Sequence, residues 1–368
     1  MIQQHLADIV THFHFEGSLT HVKELTAGNV NMTYQVVYAM GEETHAYVLQ
    51  RINTNAFHHP DQLMDNVGKV TAHMRHSYAA EGVDPDRRVL TFVESDNGTL
   101  LYTHTDGSAW RAYHYIDGVT AYNSIENPAQ FYEAGRGFGE FQTRLSDFPA
   151  CELVETIPGF HNTANRYGHL LSAIQDDAAG RVASLGEEIA FFHEHKDLAH
   201  AIVSVLGSEE LPLRVTHNDT KLNNVLMDNQ TGKALCVIDL DTVMPGSSLY
   251  DFGDAVRYGA CTSAEDEPDT AKVGFDMALF EAFTKGFVEA TAGKLTNTEI
   301  LMLPTGVAVI TYELAMRFLT DYINGDVYFK TSYEGHNLVR ARAQMALLKV
   351  VLAHMDEMNA YVAGLLNN

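Results

Sequence analysis

Four side chains in the middle of the chain have the types and spacing of phosphate chemistry. In Val215-Thr216-His217-Asn218-Asp219-Thr220-Lys221-Leu222-Asn223-Asn224, Asp219 precedes Asn224 by five residues. Asp239 closes the apolar run Ala234-Leu235-Cys236-Val237-Ile238, twenty residues after Asp219. Phosphoryl transfer needs one carboxylate facing an acceptor hydroxyl. It also needs an amide oxygen and a second carboxylate to hold magnesium against nucleotide phosphates, because that hard cation takes oxygen ligands. Asp219 is therefore expected to accept a hydrogen bond from the attacking hydroxyl and to act as base. Asn224 and Asp239 are expected to hold Mg2+ for ATP, and Lys221 to reach the γ-phosphate and neutralise developing charge. His217 reads as a brace of the loop rather than a second acid or base.

Written as His-x-Asp-x-x-x-x-Asn, this loop has the pattern of the protein-kinase-like fold, and its coupling to a hairpin and a strand-terminal Asp makes it specific. A second kinase-like string, Asp251-Phe252-Gly253, begins 32 residues past Asp219. Asp239 has both the distance and the strand, so Asp251 and Asp254 read as a helix-start cap or a brace behind the loop. Asp241 shares a face with Asp239 in an extended chain and is a candidate second ligand.

Nearer the start, Thr26-Ala27-Gly28-Asn29-Val30-Asn31-Met32-Thr33 sits where a phosphate-covering turn would lie. Gly28 permits close backbone approach, and Asn29, Asn31 and Thr33 offer donors. The next strand has Gln50 where protein kinases place a phosphate-holding Lys, with Arg51 beside it. The helix after Pro60 offers Asp65, Asn66 and Gly68 where the partner Glu would stand. That ion pair is missing from both ends, and Gln50 keeps one neutral hydrogen bond for the nucleotide. Gly135-Arg136-Gly137-Phe138-Gly139 looks like a dinucleotide fingerprint. It lies inside the stripe Phe131, Ala134, Phe138, Phe141 and Leu145 with no strand before it, so it reads as close helix packing. The 19 histidines include no H-E-x-x-H or Cys/His metal set.

The elements that must position these residues are legible as patterns. Gln35–Tyr38 and Ala46–Gln50 flank Gly41-Glu42-Glu43-Thr44 as a hairpin. A helix from Asp61 carries Leu63, Met64, Val67, Val70 and Met74 on one stripe. Arg88–Val93 and Thr99–Tyr102 enclose Asp96-Asn97-Gly98 as a second hairpin. A connecting strand spans Ala109–Gly118. Helical periodicity then dominates near 128–146, 184–206, 275–291, 297–323 and 337–365, interrupted by a β-rich island from Arg214 to Asp241. The expected fold class is α+β: a small sheet-and-helix lobe over 1–108 that covers the nucleotide, and a larger, mainly helical catalytic and substrate lobe over 109–368. Ligands favour clefts between lobes.

With 46% hydrophobic and 10% aromatic residues in 368, the chain can close a large core. Forty-eight acidic against 24 basic residues give a formal charge of −24, a poor footprint for nucleic acid. No basic start followed by an apolar stretch marks a signal peptide, and no segment reads as a membrane span. Cys151, Cys236 and Cys261 are odd in number and widely spaced, which fits buried thiols and a cytoplasmic location. Oligomeric state is not legible.

At these residues the chain resembles the aminoglycoside phosphotransferase and choline kinase superfamily, and within it the bacterial N-acetylhexosamine 1-kinases. The resemblance runs through Leu49-Gln50-Arg51-Ile52-Asn53, Trp110-Arg111-Ala112-Tyr113, Ala134–Gly139, and Arg214–Asn224. It continues through Ile238–Gly246, Asp251–Asp254, Met316–Tyr322, Gly325–Phe329 and His336–Arg340. It implies a protein-kinase-like two-lobed fold and ATP-dependent, Mg2+-dependent phosphorylation of the anomeric hydroxyl of N-acetylglucosamine or N-acetylgalactosamine. By that match Asp219 faces the 1-hydroxyl, and Arg317 and Tyr328 line the sugar pocket; Gly28 and Gln50, from the turn and strand above, and Tyr113 are the nucleotide candidates. Arg offers a rigid fork of donors, and Tyr an apolar face with a polar tip. One departure stands out: Gly28-Asn29-Val30-Asn31 replaces the family's Gly-His-Ile-Asn, so Asn29 takes the place of a sugar-facing His. The alternatives are a kinase for another small acceptor, such as a different sugar, choline or an aminoglycoside, and a nucleotide-binding pseudokinase.

Overall fold

The computed structural model describes residues 2–25 and 30–366, and the chain divides into two compact units. In chain order the first stretch holds α1 (Ile2–Ile9), β1 (Ser18–Leu25), β2 (Met32–Met40), β3 (Glu43–Ile52), α2 (Pro60–Ala80), β4 (Phe92–Val93), β5 (Tyr102–Thr103), β6 (Ala109–His114) and β7 (Val119–Ala121). There follow α3 (Pro128–Arg144), α4 (Thr163–Asp176), α5 (Gly186–Glu194), β8 (Arg214–Thr216), β9 (Val225–Asp228), β10 (Ala234–Val237), β11 (Met244–Gly246) and α6 (Ser248–Gly259). The chain ends in α7 (Met277–Thr291), α8 (Asn297–Leu301), α9 (Leu303–Ile323), α10 (His336–Ala353) and α11 (Met355–Leu366).

One unit comprises Met1–Thr120 and Leu226–Val243. Its main sheet runs β1-β2-β3-β6-β4, with β5 also along β6. β2 and β3 form the expected hairpin, turning at Gly41, whose φ of +68° suits a residue without Cβ. The alternation Tyr34, Val36, Tyr38 on β2 and the pair Tyr47, Leu49 on β3 face a core shared with Trp110 and Ala112 of β6 and with Leu6 and Ile9 of α1. All five stripe residues of α2 are buried. The second expected hairpin forms only in part. Its turn is present, with Ser95 N–H donating to Thr99 O at 2.8 Å, but β4 and β5 pair with β6 rather than with each other. Six-residue β6 offers enough edge for both two-residue strands, Phe92 opposite Tyr113 and Tyr102 opposite Trp110. β10-β9-β7 make a separate small sheet. The segment 226–243 thus belongs with the first 120 residues, and β6 lies beyond residue 108 within the same unit.

The other unit, Ala121–Val225 with Met244–Asn368, is mainly helical, with β8 and β11 paired antiparallel. α3 packs tightly on α7, and α9 is buried on nearly every face between α4, α6 and α10. The expected single helix near 184–206 is instead α5 followed by a 3-10 turn at Lys196–Ala199, where the His195 ring nitrogen lies 2.9 Å from Phe191 O. The 297–323 segment breaks between α8 and α9 because Pro304, which has no N–H, opens a new helix. A capping box of Thr296 and Glu299 starts α8. Cys236 is buried as expected, Cys261 only partly so, and Cys151 is exposed, a correction to the expectation of three buried thiols; Ala150–Glu152 is a surface turn. Among the described residues no helix is long and apolar enough to cross a membrane.

Candidate active site

The loop 217–224 leaves β8 and turns on Asn218, whose backbone is left-handed at φ 64°, a conformation Asn tolerates better than most residues. That turn brings both Asp219 carboxylate oxygens into use. Lys221 Nζ lies 2.6 Å from Oδ1, and Asn224 Nδ2 donates to Oδ2 at 3.1 Å and to the Asp219 carbonyl at 2.8 Å. With its nitrogen committed to Asp219, Asn224 keeps its carbonyl oxygen for another ligand. Lys221 therefore sits on the carboxylate itself, where the sequence placed it toward a phosphate. His217 is fully buried, its ring edge-on to Phe138 at 5.6 Å and Phe141 at 5.9 Å, and its Nδ1 accepts from Asp219 N–H at 3.3 Å. These contacts are those of a brace.

Behind the loop stands Asp251, near the start of α6. Its carboxylate accepts from the N–H of His217 at 2.9 Å and of Asn218 at 2.8 Å, and from Gln142 Nε2 of α3 at 3.0 Å. Burial pushes this carboxyl above the usual range, and His217 and the two N–H groups oppose that. Thr220 is fastened to the same helix, its hydroxyl on Asp251 O at 2.6 Å and its N–H on Asp254 at 3.2 Å. Burial also raises Asp254, but Arg257, 3.0 Å away, and Lys221 outweigh it and hold the carboxyl below its ordinary value. Asp251 is committed to the loop backbone.

In the other unit, β3 and β6 place Gln50 opposite Arg111. Arg111 is 3% exposed; its Nε donates to Gln50 Oε1 at 2.9 Å and its Nη1 pairs with Asp241. Burial disfavours the guanidinium charge, yet Asp241 more than restores it and raises the Arg111 pKa. Gln50 Nε2 in turn donates to Thr33 Oγ1 at 3.1 Å. Asn31 donates to the second oxygen of Asp241 at 2.6 Å and accepts from Asn53 N–H. Asp241, the candidate second ligand, thus has a partner on each oxygen, Arg111 on one and Asn31 on the other. Asn66 of α2, on the face where a Glu was missing, instead donates to Val243 O at 3.0 Å. Asp239 is exposed two residues past the end of β10, before a 3-10 turn at Leu240–Thr242, with a left-handed backbone at φ 59°. Tyr113 is half-buried against Phe92, and burial pushes its phenol far up. Gly28 and Asn29 lie outside the described residues.

Arg111 is the residue that sequence reasoning passed over, although an Arg inside the apolar run Ala109-Trp110-Arg111-Ala112 was a signal. Arg317 and Tyr328 do come together in the helical unit. The guanidinium lies 5.9 Å from the Tyr328 ring and 5.5 Å from those of Phe160 and Phe329. Asp321 pins that loop by accepting the N–H groups of Val327, Tyr328 and Phe329 at 2.8–3.0 Å.

The model of the phosphotransferase enzyme family matches residues 21–279, more than half of the chain. The chain belongs to that family. Among solved structures, the phosphotransferase is similar to an aminoglycoside phosphotransferase from Alicyclobacillus acidocaldarius, at 13% identity and a TM-score of 0.60, with 95% of each chain covered. It is similar to spectinomycin phosphotransferase in complex with ADP and spectinomycin, at 12% identity, a TM-score of 0.56, and 95% and 97% coverage. It is also similar to a Plasmodium vivax ethanolamine kinase, at 14% identity, a TM-score of 0.55, and 89% and 82% coverage. At these identities the likeness concerns the fold: the phosphotransferase has the mixed α+β architecture of these kinases.

Proposed function

We propose that this phosphotransferase moves the γ-phosphoryl group of ATP to the anomeric hydroxyl of an N-acetylhexosamine. The observation that carries the reading is the Asp219 carboxylate, held by Lys221 and Asn224 on a loop whose backbone is clamped by Asp251. Asp219 accepts the hydrogen bond of the incoming hydroxyl and takes its proton late in the transfer. Lys221 keeps positive charge beside that carboxylate. Bound magnesium would screen phosphate oxygens as charge develops. Asn224, through its carbonyl oxygen, and the exposed carboxylate of Asp239 are the residues assigned to hold it, and both are the oxygen donors this cation requires. Gln50 and Tyr113 are assigned to the nucleotide, with Gly28.

Among the fold neighbours, spectinomycin and ethanolamine mark kinases of cationic acceptors. Here burial, and then the nearby Arg317 guanidinium, disfavour the charge on Arg166; a second cation already crowds this region, which supports a neutral acceptor. The aromatic faces around Arg317 suit a sugar ring, and the resemblance to N-acetylhexosamine 1-kinases names which one. Asn29 is assigned to the same sugar. A coupled ADP assay with N-acetylglucosamine, N-acetylgalactosamine, glucose, choline and kanamycin tests this. Turnover with the N-acetylhexosamines is expected; turnover confined to choline or kanamycin would reassign the acceptor.

A further inference from the structure

Next to Arg317, the helical unit buries polar atoms that nothing satisfies. Tyr250, one residue before Asp251 on α6, is 3% exposed, yet its Oη has no hydrogen-bond partner among the described residues. The buried Nε2 of His161 is unpartnered as well. These atoms belong together: the two rings are 4.9 Å apart, the His161 ring is 4.6 Å from Phe160, and the Arg317 guanidinium lies 5.5 Å over Phe160. Leaving a buried hydroxyl and a buried ring nitrogen unmet costs stability, and native folds avoid it unless the groups have another use.

The orientation of His161 is enforced. Its Nδ1 is 3.0 Å from Glu313 Oε1, and Glu313 also accepts from Thr163 Oγ1 at 2.9 Å. Burial pushes the Glu313 carboxyl up, but His161, Arg317 and Arg166 outweigh that and hold it below the usual range. An ionised carboxylate only accepts, so Nδ1 donates to it, and that bond fixes the ring with Nε2 turned away from Glu313. An unmet ring nitrogen and a rotatable hydroxyl therefore stand side by side, with the aromatic face of Phe160 and a guanidinium adjoining.

We infer that His161 and Tyr250 form a hydroxyl-recognition subsite of the acceptor site, reading adjacent hydroxyls of a neutral sugar. This rests on the kinase reading above and deepens it. A vicinal diol, whose hydroxyls both donate and accept, supplies a partner for Nε2 and one for the phenol. A quaternary ammonium supplies neither and would meet Arg317.

The test is Tyr250→Phe, which removes one oxygen and keeps the ring. Acceptor KM for the best N-acetylhexosamine is expected to rise about tenfold, with the KM for ATP and the melting temperature unchanged. A purely structural tyrosine without a partner would leave acceptor KM where it was, and that result overturns the inference while the kinase reading stands. His161→Gln, read the same way, substitutes should Tyr250→Phe fail to fold. Should the wild type transfer phosphate to no sugar, the kinase reading falls separately. Calorimetric titration of N-acetylglucosamine and N-acetylgalactosamine into both proteins then decides: binding weakened in Tyr250→Phe upholds the subsite, and equal or absent binding removes it.

Discussion

Asp219 has a lysine on one oxygen and an amide on the other, so replacing it by Asn keeps the shape and removes the charge both partners were placed to meet. Asp219→Asn is expected to lower kcat by about 10²–10⁴-fold, the usual span for a positioned general base, while ATP affinity measured by titration stays nearly constant. Unchanged turnover would take Asp219 out of the base role. Asp251→Asn makes a different demand. Three donors converge on that carboxylate, and an amide turns its own NH2 toward at least one of them. Leaving a buried donor unmet costs about 1–3 kcal/mol, so thermal unfolding should begin earlier, and kcat should fall because the loop backbone is released. A variant with wild-type melting and turnover would show that the clamp is dispensable. At this scale the legible relation was the reading of Asp251 as a brace behind the loop, and its carboxylate is indeed spent on the His217 and Asn218 N–H groups. Arg111 was legible only as a charge in an apolar run; its partners Gln50 and Asp241 are 61 and 130 residues away, the first joined by sheet register and the second by a turn that spacing does not reveal.

Helices α3 and α7 show what the glycines at 135, 139 and 286 are for. A Cβ on Gly135 would meet Phe283 O, one on Gly139 would meet Phe287 O, and one on Gly286 would meet Tyr132 O. Each obstacle is backbone of the facing helix, which cannot swing aside as a side-chain end can. Gly286→Ala should therefore destabilise by at least about 1–3 kcal/mol, lowering the melting temperature by several degrees without changing the acceptor KM of the folded fraction. A melting temperature equal to wild type would mean the helices can separate at little cost. The glycine string was correctly read as packing because its apolar stripe was helical. Periodicity could not show that β4 and β5 share β6, since turn residues mark where a chain reverses and not which neighbour its strands choose. The break at Pro304 was visible in the residue type but hidden by the apolar continuity of 297–323.

For the whole molecule, the formal charge of −24 and the buried ion pairs respond to acid with opposite signs. Protonating surface carboxylates relieves self-repulsion and stabilises the fold as pH falls. Asp254 and Glu313 do the reverse. Their folded pKa values are depressed, so the stability they contribute is present above the ordinary carboxylate pKa and is lost as pH falls through their lowered folded values. The two contributions can be separated because salt screens exposed charges far more than buried ones. In high salt the surface response should flatten, leaving a decline of melting temperature that sets in below about pH 4, near the ordinary carboxylate value. Glu313→Gln should be less stable at neutral pH, where it leaves His161 and Thr163 without the carboxylate they bond, and its melting temperature should fall less steeply in acid. Parallel curves for the two proteins in high salt would show that Glu313 carries no pH-linked stability, and would leave Asp254 as the depressed carboxyl through which acid acts.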